Sequence, residues 1–275
     1  HYEGKMYSDL KKDLGEMIVE SLKPFQERYN EVMGDKAYLE SVLLEGAQGT
    51  LLDLDFGTFP YVTSSSTTAG GVCTGLGVPP SGIEETIGIV KAYTTRVGLG
   101  PFPTEMDEDF AEKVRGAGDE FGSTTGRPRR CGWYDAVVVR YAVRVNGLDA
   151  IAVTKLDVLD ALHEIPLCTG YRYRGEVLTE FPSNGAVLAA CEPVYETLPG
   201  WSSPTAGVRR YEDLPPEAQS YLERIEAVTG VPIAIVSTGA DRAETIVVRE
   251  GLIDRWQAEQ KLRHAENKII VAGRS

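Results

Sequence analysis

Apolar residues recur every three or four positions through Leu10, Leu14, Ile18, Leu22, Phe25, Tyr29 and Val32, with charges between them. That period predicts an amphipathic helix, kinked at Pro24, whose ring removes a backbone donor. The short apolar run Val42 to Leu44 predicts a buried strand breaking into the loop Glu45 to Thr50. Ile87 to Tyr93, Ala150 to Thr154 and Val231 to Val236 are brief and rich in β-branched residues, the pattern of buried strands. Asp135 to Val145 suits a buried helix or a strand, and its periodicity does not choose. Pro215 to Val228 predicts an amphipathic helix with Tyr221, Leu222, Ile225 and Val228 on one side and Gly230 as its cap. Leu252 to Lys268 is charged and reads as helical. Helical periods alternating with β-branched runs predict an α/β fold with a mainly parallel central sheet flanked by helices.

Composition narrows the classes. With 275 residues, 42% hydrophobic and 25% charged, the chain suits one large or two ordinary soluble domains. A formal charge of −13 argues against nucleic acid or an anionic membrane as partner, since both need a cationic field. Small anions remain open, because they need only a local cluster of cations. No apolar run approaches the ~18–20 residues of a membrane span, and no signal-peptide pattern follows His1, so a cytoplasmic location is expected. The four cysteines form no C-x-x-C pair and there are three histidines, which leaves a structural zinc site without support. Reduced thiols are expected instead. Because the first residue is His1 rather than Met, the chain reads as cut at its start.

Candidate chemistry sits in the loops. Thr63 to Gly77 is mostly Ser, Thr and Gly between apolar flanks, and reads as a packed, backbone-rich ligand loop rather than a linker. In Phe121 to Arg130, the arginines 127, 129 and 130 stand beside two glycines, Ser123, Thr124 and Thr125. Guanidinium forks match carboxylate or phosphate, so the segment reads as an anion-binding loop, against the plainer alternative of a solvated basic loop. Thr154-Lys155-Leu156-Asp157 ends a predicted strand, where ligands of open α/β sheets gather. There a carboxylate can accept from guanine N1–H and the 2-amino group, whereas adenine lacks that pair of donors. A capped helix start explains Asp157 equally well. Ser237-Thr238-Gly239 also follows an apolar strand and offers backbone N–H groups, or is an ordinary connection. Gln48 is an amide able to read a purine edge, or simply a polar loop residue. No G-x-x-x-x-G-K-[ST] loop, G-x-G-x-x-G fingerprint, H-E-x-x-H or G-x-S-x-G elbow is present.

In this order the strings resemble the adenylosuccinate synthetase family. The resemblance rests on LLEGAQGTLLDLDFGTFPYVTSSSTTAGGVCTG (43–75), IVKAYTTRVGLGPFPTE (89–105), EFGSTTGRPRRCGWYDAV (120–137), TKLDVLD (154–160), EPVYETLPGW (192–201) and IVSTGADRAETIVV (235–248). It implies a ligase of purine nucleotide biosynthesis, an incomplete adenylosuccinate synthetase-like fold related to the P-loop NTPases, and cytoplasmic homodimers. The implied reaction joins IMP to L-aspartate with GTP and Mg²⁺, through 6-phosphoryl-IMP, giving adenylosuccinate, GDP and phosphate. By the same resemblance, Gln48 contacts the purine edge and helps polarise the 6-oxo group. Thr63, Val97 and Arg127 join it around IMP. Ser123, Thr124, Thr125, Gly126, Arg127, Pro128 and Arg129 form the aspartate loop. Arg129, Lys155, Leu156, Asp157, Ser237, Thr238 and Gly239 hold GTP. Organisation is then expected as a helical lead-in (1–40), the nucleotide- and aspartate-binding α/β region (41–250) and a charged tail (251–275). The family's opening GDEGKGK-type segment, with its catalytic base and magnesium ligand, does not occur in these 275 residues, so no metal ligand is expected here and the chain alone is expected to be inactive. Pro128 within the arginine loop and the segment after Val248 depart from the pattern. The competing readings are a non-catalytic guanine-nucleotide-binding module or pseudoenzyme, and a phage-type relative using dGMP and ATP, against which Asp157 argues.

Overall fold

Ala150 to Thr154 forms a strand with the predicted bounds, since a β-branched run flanked by Gly147 and Lys155 leaves little freedom at either end. The computed structural model describes residues 42–122, 126–249 and 269–274. The helices read near residues 10–32 and 252–268 lie outside the described residues, as do Ser123, Thr124 and Thr125.

In chain order the elements are β1 (Val42–Glu45), α1 (Gly70–Leu76), β2 (Ile83–Lys91), β3 (Thr94–Arg96), α2 (Glu108–Gly118), β4 (Arg130–Gly132), β5 (Tyr134–Asp135), α3 (Ala136–Asn146), β6 (Ala150–Thr154), β7 (Glu164–Tyr173), β8 (Glu176–Leu178), α4 (Gly185–Ala189), β9 (Glu192–Pro199), α5 (Pro216–Thr229), β10 (Ile233–Ser237), β11 (Thr245–Val247) and β12 (Ile269–Arg274). The main sheet runs β1-β12-β2-β6-β10-β11. Every neighbouring pair is parallel except β10 with β11. The α/β reading with a mainly parallel sheet is therefore what the chain adopts. A smaller sheet runs β5-β7-β8, with β9 on the other edge of β7.

The main core packs Ile151 and Val153 of β6 and Val236 of β10 with Tyr221, Leu222 and Ile225 of α5, which is the apolar stripe read from the sequence. At the end of α5, Gly230 takes a left-handed φ of 77° and closes the helix with a bond to Glu226 O. The ambiguous segment 135–145 resolves as α3. Asp135 Oδ1 accepts from the Val137 and Val138 N–H groups and so supplies the start signal that periodicity lacked. A small second cluster joins Val137, Cys168, Tyr171, Leu188 and Cys191 between α3, α4 and the smaller sheet.

Three expectations change. β1 is a strand but not a buried one: Leu43 is 70% exposed, because among the described residues β1 pairs only with β12 and forms the sheet edge. The Thr63 to Gly77 segment is not all loop, for Gly70–Leu76 coils into α1. Asp157 does not cap a helix; it lies within the 3₁₀ turn Leu156–Leu159, whose cap position is Lys155. All four cysteines are free, and among the described residues no helix is long and apolar enough to cross a membrane.

Candidate nucleotide site at the strand ends

Because β2, β6 and β10 run parallel side by side, the turns that follow them emerge together at one edge of the sheet. The β6 turn begins with Lys155 in the left-handed region at φ 63°, and its ammonium donates to Gly118 O at the end of α2 at 2.8 Å. Two residues on, Asp157 Oδ1 is buried and has no hydrogen-bond partner among the described residues. Burial pushes the Asp157 carboxyl above its ordinary value; its own N–H and the Lys155 charge oppose this, and the Asp160 and Glu244 charges add to it. A buried acceptor left without a donor costs on the order of 1–3 kcal/mol, so this oxygen calls for one.

Beside it stands the β10 turn. Ser237 Oγ donates to Gly239 O at 2.8 Å, and the buried Thr238 donates its N–H to Glu244 O at 2.9 Å and its hydroxyl to Val208 O at 3.0 Å. A Cβ at Gly239 would meet the Glu244 carboxylate, which would have to swing away from the Asp241 N–H it now accepts. The two separate strings Lys155–Asp157 and Ser237–Gly239 thus lie on neighbouring turns, with the Asp157 carboxyl within the field of Glu244. Leu156, placed with them by the sequence, is fully buried in the core, which leaves it its backbone rather than its side chain to offer.

A cavity of about 540 Å³ opens along β2 and α3 and is lined by Gln48, Lys91, Val97 and Arg129 among others. Gln48 follows β1 and holds a left-handed φ of 63°, uncommon outside glycine. Ser65 Oγ bridges it to a second predicted residue, lying 3.4 Å from Gln48 Oε1 and 3.5 Å from Thr63 Oγ1. Val97 is half exposed at the end of β3, next to Arg96, whose buried guanidinium donates to Thr58 Oγ1 at 2.6 Å. The described residues on either side of 123–125 in the arginine loop bond to each other. Gly122 N donates to Arg127 O at 2.8 Å and Gly126 N to Gly122 O at 2.7 Å, with Gly126 at φ 63°. Gly126, Arg127 and Pro128 are exposed, so the loop presents the Arg127 guanidinium to solvent. The structure therefore brings Gln48, Val97 and Arg129 to one cavity, pairs Lys155 and Asp157 with the 237–239 turn, and leaves Arg127 outside both.

Sequence reasoning missed Glu120, Lys91 and Tyr93, which form a buried cluster between the two sites. Their separation along the chain hides them; the available signal was a Glu at the root of an arginine loop. Among the described residues, no three His, Cys, Asp or Glu side chains converge to hold a metal.

The family model for adenylosuccinate synthetase matches residues 4–246. The chain belongs to the adenylosuccinate synthetase family. It is 59% identical over 211 residues to the adenylosuccinate synthetase of Desulforamulus reducens, which covers 77% of this chain and 49% of that protein. To that of a Synechococcus strain it is 53% identical over 243 residues, covering 86% of this chain and 54% of the relative. Among solved structures it resembles a fully ligated adenylosuccinate synthetase from Plasmodium falciparum, with a TM-score of 0.72 and 43% identity over 74% of this chain and 49% of that one. The chain thus spans about half the length of the relatives it matches.

Proposed function

We propose that this chain carries the guanine-nucleotide and aspartate-binding part of an adenylosuccinate synthetase, together with part of its IMP site. In the reaction read from the family, the γ-phosphoryl group of GTP moves to O6 of IMP. The O6–P bond forms as the bond to the β-phosphate oxygen breaks, releasing GDP. The aspartate amine then attacks C6; the C–N bond forms and phosphate departs with O6. The protons of N1 and of the amine leave to a base that this reading assigns to none of the described residues. Gln48, Thr63, Val97 and Arg127 are assigned to IMP, with the Gln48 amide donating to O6 as charge grows there. Residues 123–129 are assigned to the aspartate carboxylates, and Arg129 also to GTP. Homodimerisation, a cytoplasmic location and the use of Mg²⁺ rest on the family alone.

The observation that carries the guanine assignment is the buried Asp157 Oδ1, without a partner among the described residues, beside the 237–239 turn. Guanine N1–H and the 2-amino group are the donors it lacks, and an adenine edge would leave it unsatisfied. The test is nucleotide binding to the purified chain by calorimetry. GTP should bind at least tenfold tighter than ATP. Asp157→Asn should weaken GTP by about 1.5–3 kcal/mol, the cost of losing a charge-assisted bond, and favour xanthosine triphosphate, whose 2-oxo group accepts from an amide. Equal affinity for GTP and ATP would end the guanine reading.

A further inference from the structure

Between the guanine turns and the cavity lies a carboxylate that the assignments above do not use. Glu120 directly follows the left-handed Asp119 that closes α2, and its side chain is 0% exposed. Its two oxygens accept from Lys91 Nζ at 2.7 and 2.8 Å, from the Tyr93 hydroxyl at 2.5 Å and from Arg129 Nη1 at 2.6 Å. Burial alone would raise this carboxyl; the bonds from Lys91 and Tyr93, the Lys91 charge and the Arg129 bond outweigh it and hold it below its ordinary value. A charge held so deeply needs every one of these donors.

The bonds are unequally spent. The Lys91 ammonium uses its three hydrogens on Glu120 and on Thr95 Oγ1 at 2.8 Å, so it has none left for a ligand. Arg129 gives Glu120 a single nitrogen. Its Nε and Nη2 make no hydrogen bond among the described residues, and the side chain is 30% exposed where it lines the cavity. The main chain reinforces the same contact, since Arg129 N donates to Glu120 O at 2.9 Å and joins the two stems of the arginine loop. Two cations thus hold one carboxylate, and Lys155, anchored on Gly118 O, adds its charge to the field around Lys91 in a chain whose net charge is −13.

We propose that Glu120 is a positioning residue, fixing the Arg129 guanidinium by one nitrogen so that its remaining donors meet the anionic end of the guanine nucleotide. This rests on the guanine-nucleotide reading given above. The sign of the effect separates it from a simple field. Removing a negative charge near a phosphate should tighten binding if Glu120 matters only through its charge. Two bonded cations already neutralise most of that charge, so such a gain is limited to roughly twofold or threefold. Releasing a rotamer-rich arginine that must be reordered on binding weakens it by more.

The test compares guanosine, which reports the base site alone, with GTP, which adds the phosphates. Both are titrated into the full 275-residue chain as wild type, Glu120→Gln, Arg129→Gln and the double variant. Glu120→Gln should weaken GTP about fivefold or more and leave guanosine within twofold. In the Arg129→Gln background the same change should alter GTP affinity by less than twofold, because the residue acts through that arginine. Glu120→Asp, which keeps the charge but shortens its reach, provides the second measurement should the Gln variant not fold; it too should weaken GTP and spare guanosine. Tighter GTP binding in both backgrounds would make Glu120 a field effect and overturn the proposal. Parallel loss of guanosine and GTP, or a Glu120 effect that persists without Arg129, would overturn it as well. If wild type binds guanosine but GTP no more tightly, the phosphate role of Arg129 fails while the base site stands. If it binds neither, the guanine reading fails and takes this proposal with it.

Discussion

Four backbone N–H groups from two separate stretches converge on the carboxylate of Asp53. Asp55 and Phe56 donate to Oδ1 at 2.9 Å each, and Thr67 and Thr68 donate to Oδ2 at 2.6 and 3.2 Å. Although Asp53 is only 1% exposed and burial would raise its pKa, these four bonds hold it below the ordinary value. Thr67 Oγ1 in turn donates to Gly49 O at 2.8 Å, so the residue that pins the Thr-rich segment also steadies the loop carrying Gln48. An asparagine cannot replace it, because its NH₂ must face one of the two donor pairs. Asp53→Asn should therefore cost about 2–4 kcal/mol in urea unfolding at pH 7, and Asp53→Ala more, with every N–H orphaned. The stability that the wild-type charge supplies is present above the unfolded carboxylate pKa of ~4 and falls away as pH drops through the lower folded value. An Asn variant within 0.5 kcal/mol of wild type would show that charge does not pin this loop. Neither Asp53 nor Glu120 stood out in the sequence. A hub is defined by what converges on it in space, and its partners lie up to 15 and 29 positions away.

At the scale of elements, α3 shows how one capping residue links helix, second sheet and pH response. Asp135 caps the helix through Oδ1 and accepts the buried Tyr171 hydroxyl of β7 through Oδ2 at 2.6 Å. Burial pushes its carboxyl up to about 6, with the bonds from Tyr171, Val138 and Val137 opposing. For an acid whose folded pKa is raised, the stabilising contribution is complete below the unfolded value of ~4 and is lost as pH rises through the folded value. Wild type should accordingly lose up to about 3 kcal/mol from this group between pH 4 and 7, an upper bound at 1.36 kcal/mol per unit. Asp135→Asn keeps the cap acceptor and removes the titration, so its urea-unfolding free energy should vary less across that window. Identical pH profiles would mean that Asp135 stays ionised throughout. The local period left this segment undecided because Val137, Val138 and Val139 suit either state; the preceding Asp and the Gly147 cap were the deciding signals. By contrast β6 and α5 were legible almost to the residue, since burial on both faces and a continuous apolar stripe each leave a single solution.

For the whole molecule, strand order matters more than strand content, and it was the part the hydrophobic pattern could not carry. Apolar runs say that a segment is a strand, while its neighbour depends on crossovers and on which edges remain unpaired. So the parallel α/β sheet was legible, but not that Ile269–Arg274, read as the end of a tail, lies between β1 and β2. Its backbone pairs Val42 to Glu45 on one side and Ile83 to Ile89 on the other, and among the described residues it is the only strand that holds β1. The turns proposed for guanine follow β6 and β10, on the far side of β2, where their own ladders and the α5 core support them. Ending the chain after Lys268 should then act on one flank of the sheet. β1 loses its ladder, β2 gains an open edge, and Gln48 loses the strand that presents it, while the Asp157 side keeps its packing. Hydrogen exchange should show β1 and β2 amides losing protection by at least tenfold, with β6 and β10 amides changing little. Guanosine affinity should stay within about threefold of the full chain, because its turns rest on the other flank. Uniform loss of protection across all five strands, with guanosine binding lost in step, would show instead that the sheet opens as one cooperative unit and that the C-terminal strand supports the guanine site as much as the Gln48 loop.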